Sequence, residues 1–392
     1  MATILFMTLP ETGHLNATYK VAKTLKSRGH AIVYAQLYEF EAAVCAEGFE
    51  FVPLLAQLLP KGRPVRRDRA LSTFEELRRL CEQFANAHNK TTPDIFREEQ
   101  TAIFESVKPD LLVMDSYNAR ILMPVRRVGD PPCILLNPTI AQPYDDRTAA
   151  LVSNMTTLIL CPEEFDLPDQ KKRPHFRYVE ASWDQQRKFK PGFPWDRVDE
   201  SKKLIYCSLG TQSHWAAPGE DSEARRRSVS DFLQIVISVM AGRADYQLVM
   251  TLSDQICVED FHSVPANALL VNYAPQTELL RKASLAITHG GTNTVKDCIF
   301  LGVPMLVFPL RGDQIGNGER VEFHGLGLNG RSIKATSTES ISLMIDQLEQ
   351  DPEFKSRLKA MREVFLRAER EQRAVAIIEE QLPERVNVRA MK

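Results

Sequence analysis

The chain has 392 residues, of which 44% are hydrophobic and 26% are charged, and its formal net charge is −2. At about 150 residues per domain this length accommodates two or three domains, and the composition is that of a globular protein rather than a disordered or fibrous one. A nearly neutral chain has no overall field that would draw it to nucleic acid or to anionic lipid.

The cysteines and the apolar runs bear on the compartment. The seven cysteines are dispersed and include no Cys-x-x-Cys pair, which argues for a reducing compartment and against a disulfide framework or a zinc site. The first apolar run is too short for a signal peptide, and the longest one, residues 298–310, is interrupted by glycine and proline and is too short to cross a bilayer. We therefore expect a soluble cytoplasmic protein without membrane insertion.

Short apolar runs alternate with helical segments through the first half of the chain. After the first run, apolar residues recur at helical spacing from Leu15 to Leu25, and Gly29 then marks the end of that helix. Strands that alternate with helices predict a parallel, doubly wound sheet. The strand candidates of this half are residues 4–9, 31–35, 111–114 and 133–136.

A segment rich in turn-forming residues separates the two halves. Pro191, Gly192 and Pro194 lie there among charged residues, which is typical of an interdomain linker. The alternation then resumes, and residues 353–381 form one long helical pattern. The strand candidates of the second half are residues 204–208, 247–252, 268–273, 285–288 and 305–308. We expect a first domain at residues 1–190, a linker at 191–202, a second domain at 203–370, and a C-terminal helix at 371–392 that returns to the first domain.

Three common motifs do not occur where a nucleotide or metal site would need them. Neither half contains Gly-x-Gly-x-x-Gly after its first strand, and there is no Gly-x-x-x-x-Gly-Lys-Ser/Thr segment, which disfavours a dehydrogenase and a P-loop enzyme. An Asp-x-Asp pair that could hold a divalent ion on a diphosphate is also missing. The polar residues 212–227 look like an inserted loop, to which the sequence assigns no role.

A turn at residues 289–291, His-Gly-Gly, predicts an anion site. It follows a strand candidate and opens a helix, whose N-terminus offers free N–H groups and the positive end of a dipole. Two glycines allow the backbone to approach a ligand closely, and Thr292, Asn293 and Thr294 add side-chain donors. An ordinary strand-to-helix turn capped by Thr292 or Asn293 would have the same pattern, so this turn alone does not decide the function.

The elements on either side of this turn favour the anion site. Tyr273-Ala274-Pro275-Gln276 precedes it, and Asp313-Gln314 and Asn317 follow it. Together these elements resemble the signature of the family 1 nucleotide-sugar-dependent glycosyltransferases, and the layout is most similar to that of bacterial macrolide and natural-product enzymes. The resemblance covers the whole chain and implies an α/β GT-B fold. In that fold two Rossmann-like, doubly wound domains face each other across a cleft, the first binding the acceptor and the second the donor.

The resemblance also implies roles for individual residues. Tyr273, in place of the usual Trp, would stack on the base, which leaves dTDP open beside UDP, and Gln276 would contact the base or the ribose. Asp297 stands where a Glu usually binds the ribose hydroxyls. The diphosphate and the sugar would be held by the remaining donor-binding residues, namely Ser208, Gly210, Thr211, His289, Gly291, Asn293, Thr294, Asn317, Asp313 and Gln314, the last two on the sugar hydroxyls.

A histidine and an aspartate of the first half fit an acid–base pair. An inverting transfer needs a base that removes the acceptor proton, and imidazole suits this because its pKa lies near neutrality. His14 follows the first strand and Asp115 ends another, so both lie at carboxyl ends of strands and can reach the cleft. The resemblance implies that His14 is the base and that Asp115 supports it.

These observations predict an inverting, metal-independent UDP-glycosyltransferase. It would move a sugar, expected to be glucose, from a UDP-sugar co-substrate to a hydroxyl of a small, largely apolar or aromatic natural product, without a bound cofactor. Two alternatives stay open: a UDP-sugar 2-epimerase on the same fold, and a non-catalytic partner protein that binds nucleotide sugar. The sequence does not determine the acceptor, the attacking atom, the donor base and sugar, or the oligomeric state.

Overall fold

Each half of the chain forms one parallel β-sheet covered by helices. The computed structural model describes residues 1–62, 73–140, 146–168, 174–185, 192–210, 213, 221–253 and 255–383. The strands are β1 (Thr3–Met7), β2 (Ala31–Gln36), β3 (Glu50–Pro53), β4 (Leu111–Asp115), β5 (Cys133–Asn137), β6 (Thr157–Ile159), β7 (Phe176–Tyr178), β8 (Lys203–Ser208), β9 (Tyr246–Thr251), β10 (Ala268–Val271), β11 (Ala283–Thr288), β12 (Met305–Val307) and β13 (Gly327–Asn329). The helices are α1 (Thr12–Ser27), α2 (Glu41–Ala46), α3 (Thr73–Ala87), α4 (Thr92–Val107), α5 (Ala119–Leu122), α6 (Asp146–Leu151), α7 (Ser222–Met240), α8 (Gln276–Lys282), α9 (Thr292–Leu301), α10 (Asp313–Phe323), α11 (Thr338–Gln350), α12 (Glu353–Glu371) and α13 (Arg373–Glu380).

Both sheets have a doubly wound strand order with a switch point in the middle. The first runs β3-β2-β1-β4-β5-β6-β7 and the second runs β10-β9-β8-β11-β12-β13, and neighbouring strands pair in parallel. The order reverses between β1 and β4 in the first sheet and between β8 and β11 in the second. Ligands bind outside the carboxyl ends of the strands at such points. The predicted α/β architecture with two Rossmann-like sheets is confirmed.

Burial on both faces explains why the strands appear in the sequence as short apolar runs. β4 is buried along its whole length, because helices cover both faces of a parallel sheet. The buried side of α1 includes Leu15, Tyr19 and Leu25, which confirms the helix predicted from their spacing. Gly29 follows this helix with φ of +92°, a conformation that glycine adopts without strain. At its other end, α1 begins at Thr12, close to the carboxyl end of β1.

One hydrophobic cluster joins the two halves. It contains Phe165 and Trp183 from the first half and Phe300 and Phe365 from the second. The indole of Trp183 stacks on the ring of Phe300, with centroids 4.2 Å apart and an angle of 5° between the planes. Aromatic side chains of this size contribute a large share of the free energy at an interface. The two halves therefore pack against each other through an apolar core that helices and connecting segments supply.

A buried ion pair crosses the same interface. Arg320 of α10 donates from Nε and Nη2 to Oδ1 of Asp166, over 2.9 and 2.7 Å, and both side chains are buried. The hydroxyl of Tyr178 donates to the other oxygen of the carboxylate. A charge can be kept inside a protein when it is paired and hydrogen-bonded in this way.

The C-terminal pattern predicted as one helix is broken at Gln372. This residue has φ of +50° and separates α12 from α13. α12 packs against α9 in the second half, whereas α13 packs against α1 and buries Ala374, Val375 and Ile378 in the core of the first half. The prediction of one continuous helix is wrong because the chain must change direction here to pass from one core to the other.

The polar stretch expected to be an inserted loop is in part helical. α7 begins at Ser222, and the carboxylate of Asp221 caps it by accepting from the backbone N–H of Glu223 and Ala224. Residues 222–227 read as a loop because they are nearly all polar, and the one charged side chain that is buried, Arg225, donates to the carbonyl of Ser213. Residues 211–212 and 214–220 lie outside the described part of the chain.

None of the described helices is long and apolar enough to cross a membrane.

Candidate active site

A cleft of about 370 Å³ lies between the sheets, at the carboxyl ends of strands from both halves. The first half contributes the segments that follow β1 and β5, and the second half contributes those that follow β8, β9, β10, β11 and β12. The two switch points therefore face one cavity. A larger cavity of about 650 Å³ lies between residues 162–168 and the C-terminal helices, and none of the predicted site residues borders it.

His14 and Asp115 meet at the switch point of the first sheet. His14 lies in the first turn of α1, and Asp115 is the last residue of β4. Nδ1 of His14 lies 2.7 Å from Oδ2 of Asp115. The backbone N–H groups of Leu9 and Tyr117 donate to the same carboxylate, at 3.4 and 2.9 Å. Because the carboxylate holds Nδ1, Nε2 is the imidazole nitrogen that remains available to a ligand.

The charges around His14 raise the pKa of its imidazole above the ordinary value of 6.5. Burial lowers this pKa, but the charge and the hydrogen bond of Asp115 outweigh the burial, and the charges of Glu11 and Asp313 add to the rise. Tyr117 packs edge-on against the imidazole, with ring centroids 5.1 Å apart. His14 is thus a stronger base than a free imidazole, and its ring is held in one orientation.

His289 lies between two glycine turns on the opposite wall. A Cβ atom at Gly210 would lie 2.7 Å from Nε2 of His289, and one at Gly291 would lie 2.5 Å from it, so the imidazole requires glycine at both positions. Burial lowers the pKa of His289 to about 4. A hydrogen bond with the backbone of Ser208 raises this pKa in part, and the charge of Arg311 lowers it slightly further. His289 is therefore neutral near neutral pH and carries no positive charge, and the backbone of Ser208 accepts its single N–H.

The first turn of α9 opens onto the cleft without a side-chain cap. Its N-cap residue is Gly291, and the capping of this turn by Thr292 or Asn293, the alternative left open by the sequence, is not observed. The two side chains bond elsewhere: Thr292 donates to Asp313, and Asn293 donates over 2.8 Å to the carbonyl of Gly13. An uncapped helix N-terminus is an anion-binding feature, because its N–H groups and its dipole favour negative charge.

The tyrosine and glutamine predicted to contact the nucleoside border the cleft, but the carboxylate beside them does not. Tyr273 is 37% exposed, and Gln276 lines the cavity. Asp297 is buried, and its two oxygens accept from Nε1 of Trp183 at 2.9 Å and from Nε2 of Gln276 at 2.8 Å. Asp297 thus supports and orients Gln276 in this structure, and its direct contact with the ribose stays a prediction.

Asn317 also lies behind the cleft wall and not on it. Its side chain is fully buried, and Nδ2 lies within hydrogen-bond distance of the carbonyl of Gly290, the hydroxyl of Thr292 and the carboxylate of Asp313. The amide therefore braces the turn before α9 against the start of α10. Its amide hydrogens are directed to protein oxygens, and the phosphate contact expected of Asn317 stays a prediction.

Most of the other predicted residues border the cleft together. They are His14, Ser208, Gly210, Tyr273, Gln276, His289, Gly291, Asn293, Thr294, Asp313 and Gln314. Asp115 lies directly behind His14 and is buried. Thr211 lies outside the described residues. The structure thus brings the candidate base and the candidate donor-binding residues to the same cavity.

Comparison with known proteins shows which proteins the chain resembles. Residues 236–380 match the model of the erythromycin biosynthesis protein CIII-like, C-terminal domain. The sequence is 25% identical to the NDP-glycosyltransferase YjiC of Bacillus subtilis (strain 168) over 96% of each chain, and 24% identical to the oleandomycin glycosyltransferase of Streptomyces antibioticus over 98% of this chain and 92% of that one. The solved structure of the glycotransferase of kitacinnamycin superposes with a TM-score of 0.71 at 24% identity, covering 97% of this chain and 99% of that one.

The chain has the GT-B fold and is similar along almost its whole length to nucleotide-sugar-dependent glycosyltransferases. The family resemblance drawn from residues 273–317 is confirmed. None of the relatives described above is named as an epimerase, so the comparison gives no support to the alternative of a UDP-sugar 2-epimerase.

Several residues of this glycosyltransferase border the cleft although the sequence analysis gave them no role. Thr251 ends β9, Ser253 follows it and Asn272 follows β10, and these positions at the carboxyl ends of strands are the signal that could have found them. Arg311 adds a guanidinium to the donor wall, and Glu11 adds a carboxylate beside His14. Within the described ranges, no group of three or more His, Cys, Asp or Glu side chains could hold a metal ion.

Proposed function

We propose that this glycosyltransferase moves a sugar, with glucose as the expected one, from a UDP-sugar to a hydroxyl of a small, largely apolar natural product, with inversion at the anomeric carbon. The observation that carries the proposal is the His14–Asp115 pair on one wall of the cleft and the His289 turn on the other. The two walls offer a base and an anion site, which a single displacement at the anomeric carbon requires. A relative named as an oleandomycin glycosyltransferase supports a natural-product acceptor.

On the acceptor wall, His14 removes the proton of the attacking hydroxyl. In the neutral imidazole the proton on Nδ1 is donated to Asp115, and Nε2 presents a lone pair to the acceptor. As the hydroxyl oxygen attacks the anomeric carbon, its proton passes to Nε2, and the carboxylate of Asp115 stabilises the resulting imidazolium. The base and the leaving group lie on opposite walls, so the attack proceeds from the face opposite the diphosphate and inverts the anomeric carbon.

On the donor wall, negative charge grows on the β-phosphate as the glycosidic bond breaks. The first turn of α9 would offer backbone N–H groups to this charge, and Thr294 would offer its hydroxyl. Arg311 is a cation on the same wall. Donors held in place before the reaction stabilise developing charge without further reorganisation. The proposal therefore includes transfer without a metal ion.

The nucleoside and the sugar would be bound at the two ends of this wall. The exposed ring of Tyr273 offers a stacking surface for the base, and Oε1 of Gln276 carries no hydrogen bond to any described residue. At the other end, Oε1 of Gln314 accepts from the backbone N–H of Leu310 and Arg311, which leaves its amide hydrogens for a sugar oxygen. Asp313 beside it adds a carboxylate that accepts from sugar hydroxyls.

A panel of donors and acceptors tests the proposal. UDP-glucose, UDP-galactose, UDP-GlcNAc and dTDP-sugars are incubated with phenolic and macrolide acceptors, and products are read by mass shift. We expect one hexose to be added from UDP-glucose. Formation of a 2-epimer without any acceptor would establish the epimerase, and binding of UDP with neither transfer nor hydrolysis would establish the non-catalytic partner. Transfer from dTDP-sugars alone would correct the base.

Transfer is expected to continue in EDTA. The donor wall offers hydrogen-bond donors and the guanidinium of Arg311 to the diphosphate, so chelation should change the initial rate by less than about twofold. The measurement compares initial rates in EDTA, in added Mg²⁺ and in added Mn²⁺. Loss of turnover in EDTA that either ion restores would refute metal independence.

The rate is expected to fall as the pH drops through the raised pKa of His14. Only the neutral imidazole can accept the proton, so kcat/KM should have an acidic limb with a midpoint above 6.5. The charge of Glu11 contributes to that rise, so Glu11→Gln should move the midpoint to lower pH. The exposed Glu259→Gln is the matched control and should leave the profile unchanged. A midpoint that does not move in the Glu11 variant would show that the acidic limb does not report the protonation of His14.

A further inference from the structure

We propose that the hydroxyl of Thr292 couples the sugar site to the acceptor wall, so that a bound donor sugar tightens the binding of the acceptor. The inference rests on the proposed function, because it takes Asp313 as a group that meets the sugar. Thr292 is a positioning residue in this scheme, because its hydroxyl bonds to Asp313, Asn317 and Thr139.

The hydroxyl of Thr292 has one proton and two acceptors within reach. Oγ1 lies 2.9 Å from Oδ2 of Asp313, in its own half, and 3.2 Å from the carbonyl oxygen of Thr139, in the other half. It also accepts from Nδ2 of Asn317 at 2.9 Å, which holds the oxygen in place. A hydroxyl donates a single hydrogen, so it can bond fully to Asp313 or to Thr139 but not to both.

Without a sugar, the carboxylate of Asp313 is the stronger of the two acceptors. Hydrogen bonds to an ionised oxygen are shorter and about twice as strong as those to a neutral carbonyl, which agrees with the shorter distance to Asp313. The bond between Thr292 and Thr139 is therefore weak in the empty enzyme. That contact is one of the polar links between the two walls of the cleft.

A sugar hydroxyl that donates to Asp313 changes this balance. It satisfies part of the negative charge of the carboxylate, so the carboxylate attracts the proton of Thr292 less strongly. The proton then moves to the carbonyl of Thr139 and strengthens the link between the donor half and the acceptor half. Asn293, whose amide donates to the carbonyl of Gly13, has no second acceptor among the described residues and links the halves in both states.

The segment that holds Thr139 belongs to the acceptor wall. The hydroxyl of Thr139 lies 3.2 Å from that of Tyr117, and Tyr117 packs edge-on against the imidazole of His14. Fixing the carbonyl of Thr139 therefore fixes a chain of contacts that ends at the base. An acceptor that binds to this ordered wall loses less entropy on binding, which gives positive cooperativity with the donor.

The test measures acceptor affinity with UDP alone and with a UDP-2-deoxy-2-fluoro sugar that cannot be transferred. The probe is the acceptor with the lowest KM in the panel above. We expect the analogue to tighten acceptor binding about five- to tenfold relative to UDP in the native enzyme. Thr292→Val, which keeps the shape but lacks the hydroxyl, should reduce this ratio to about one, and Thr292→Ser should restore it.

Two further variants separate coupling from loss of structure. Asn293→Ala should weaken acceptor binding by the same factor with either nucleotide and leave the ratio unchanged. Asp313→Asn weakens the hydrogen-bond acceptor that competes with the carbonyl of Thr139. In the presence of UDP alone, this variant should therefore bind the acceptor substrate about as tightly as the native enzyme binds it with the analogue. A Thr292→Val enzyme that transfers sugar and keeps the native ratio overturns the coupling but not the proposed function. Absence of transfer in the native enzyme with every donor would overturn the proposed function itself.

Discussion

His14→Ala is expected to lower kcat/KM by about 10²–10⁴-fold, the range that a positioned general base contributes. The variant loses the imidazole that bonds to Asp115 on the acceptor wall, and the backbone N–H groups of Leu9 and Tyr117 that also bond to this carboxylate cannot take a proton. Affinity for UDP should stay close to native, because His289 and the start of α9 lie on the opposite wall. The measurements are steady-state transfer and calorimetric titration with UDP.

The control for this variant is the exposed His262, whose substitution by Ala should leave both quantities unchanged. Asp115→Asn is expected to keep the imidazole in place but to lose the charge that stabilises the imidazolium. Because the two residues act as a unit, the double variant should be little slower than His14→Ala alone. Native turnover in His14→Ala would show that another group is the base.

Asp166→Ala is expected to lower the free energy of unfolding by about 3–5 kcal/mol, the cost of removing one partner of a buried ion pair. Arg320 would keep its charge inside the interface between the two halves. Its Nε and Nη2 would lose the carboxylate that accepts from them in the native protein. Urea unfolding followed by circular dichroism measures the change. Activity per folded molecule should change far less, because the pair does not border the cleft.

The double variant Asp166→Leu with Arg320→Met removes both charges together. Replacing a buried pair by apolar side chains of similar size is often neutral or stabilising, so much of the lost stability should return. The exposed pair of Arg331 and Glu322 provides the matched control, and Glu322→Ala should cost less than about 1 kcal/mol. Equal costs for Asp166→Ala and Glu322→Ala would mean that the interface opens to water around Arg320.

The sheets and the position of the acid–base pair could be predicted from the sequence for one physical reason. Strands covered on both faces appear as short apolar runs, and the carboxyl ends of parallel strands meet at one edge. His14 and Asp115 each follow such a run, so their meeting at 2.7 Å follows from the topology. The role of the turn at His289 in the other half as an anion site was predicted from the family resemblance of the elements that flank it.

The sequence could not tell which polar side chains of the donor half face the cleft. Asp297 and Asn317 have the same chemistry as ligand-binding residues, but Trp183, from the other half of the chain, directs Asp297 inward. The break at Gln372 was missed for a related reason, since apolar spacing continues through it while the packing partner changes from one core to the other. In these places long-range contacts decide the outcome, and local pattern does not report them.

The return of α13 to the first core sets a condition for engineering chimeric enzymes. Suppose that the acceptor half is exchanged between relatives with a single junction after β7. The chimera then combines α13 from one parent with the first core of the other parent, into which Ala374, Val375 and Ile378 must fit. A swap in two pieces avoids this mismatch, with the second junction at Gln372, where the helical run is already interrupted. Libraries built this way would vary acceptor preference without exchanging the nucleotide half.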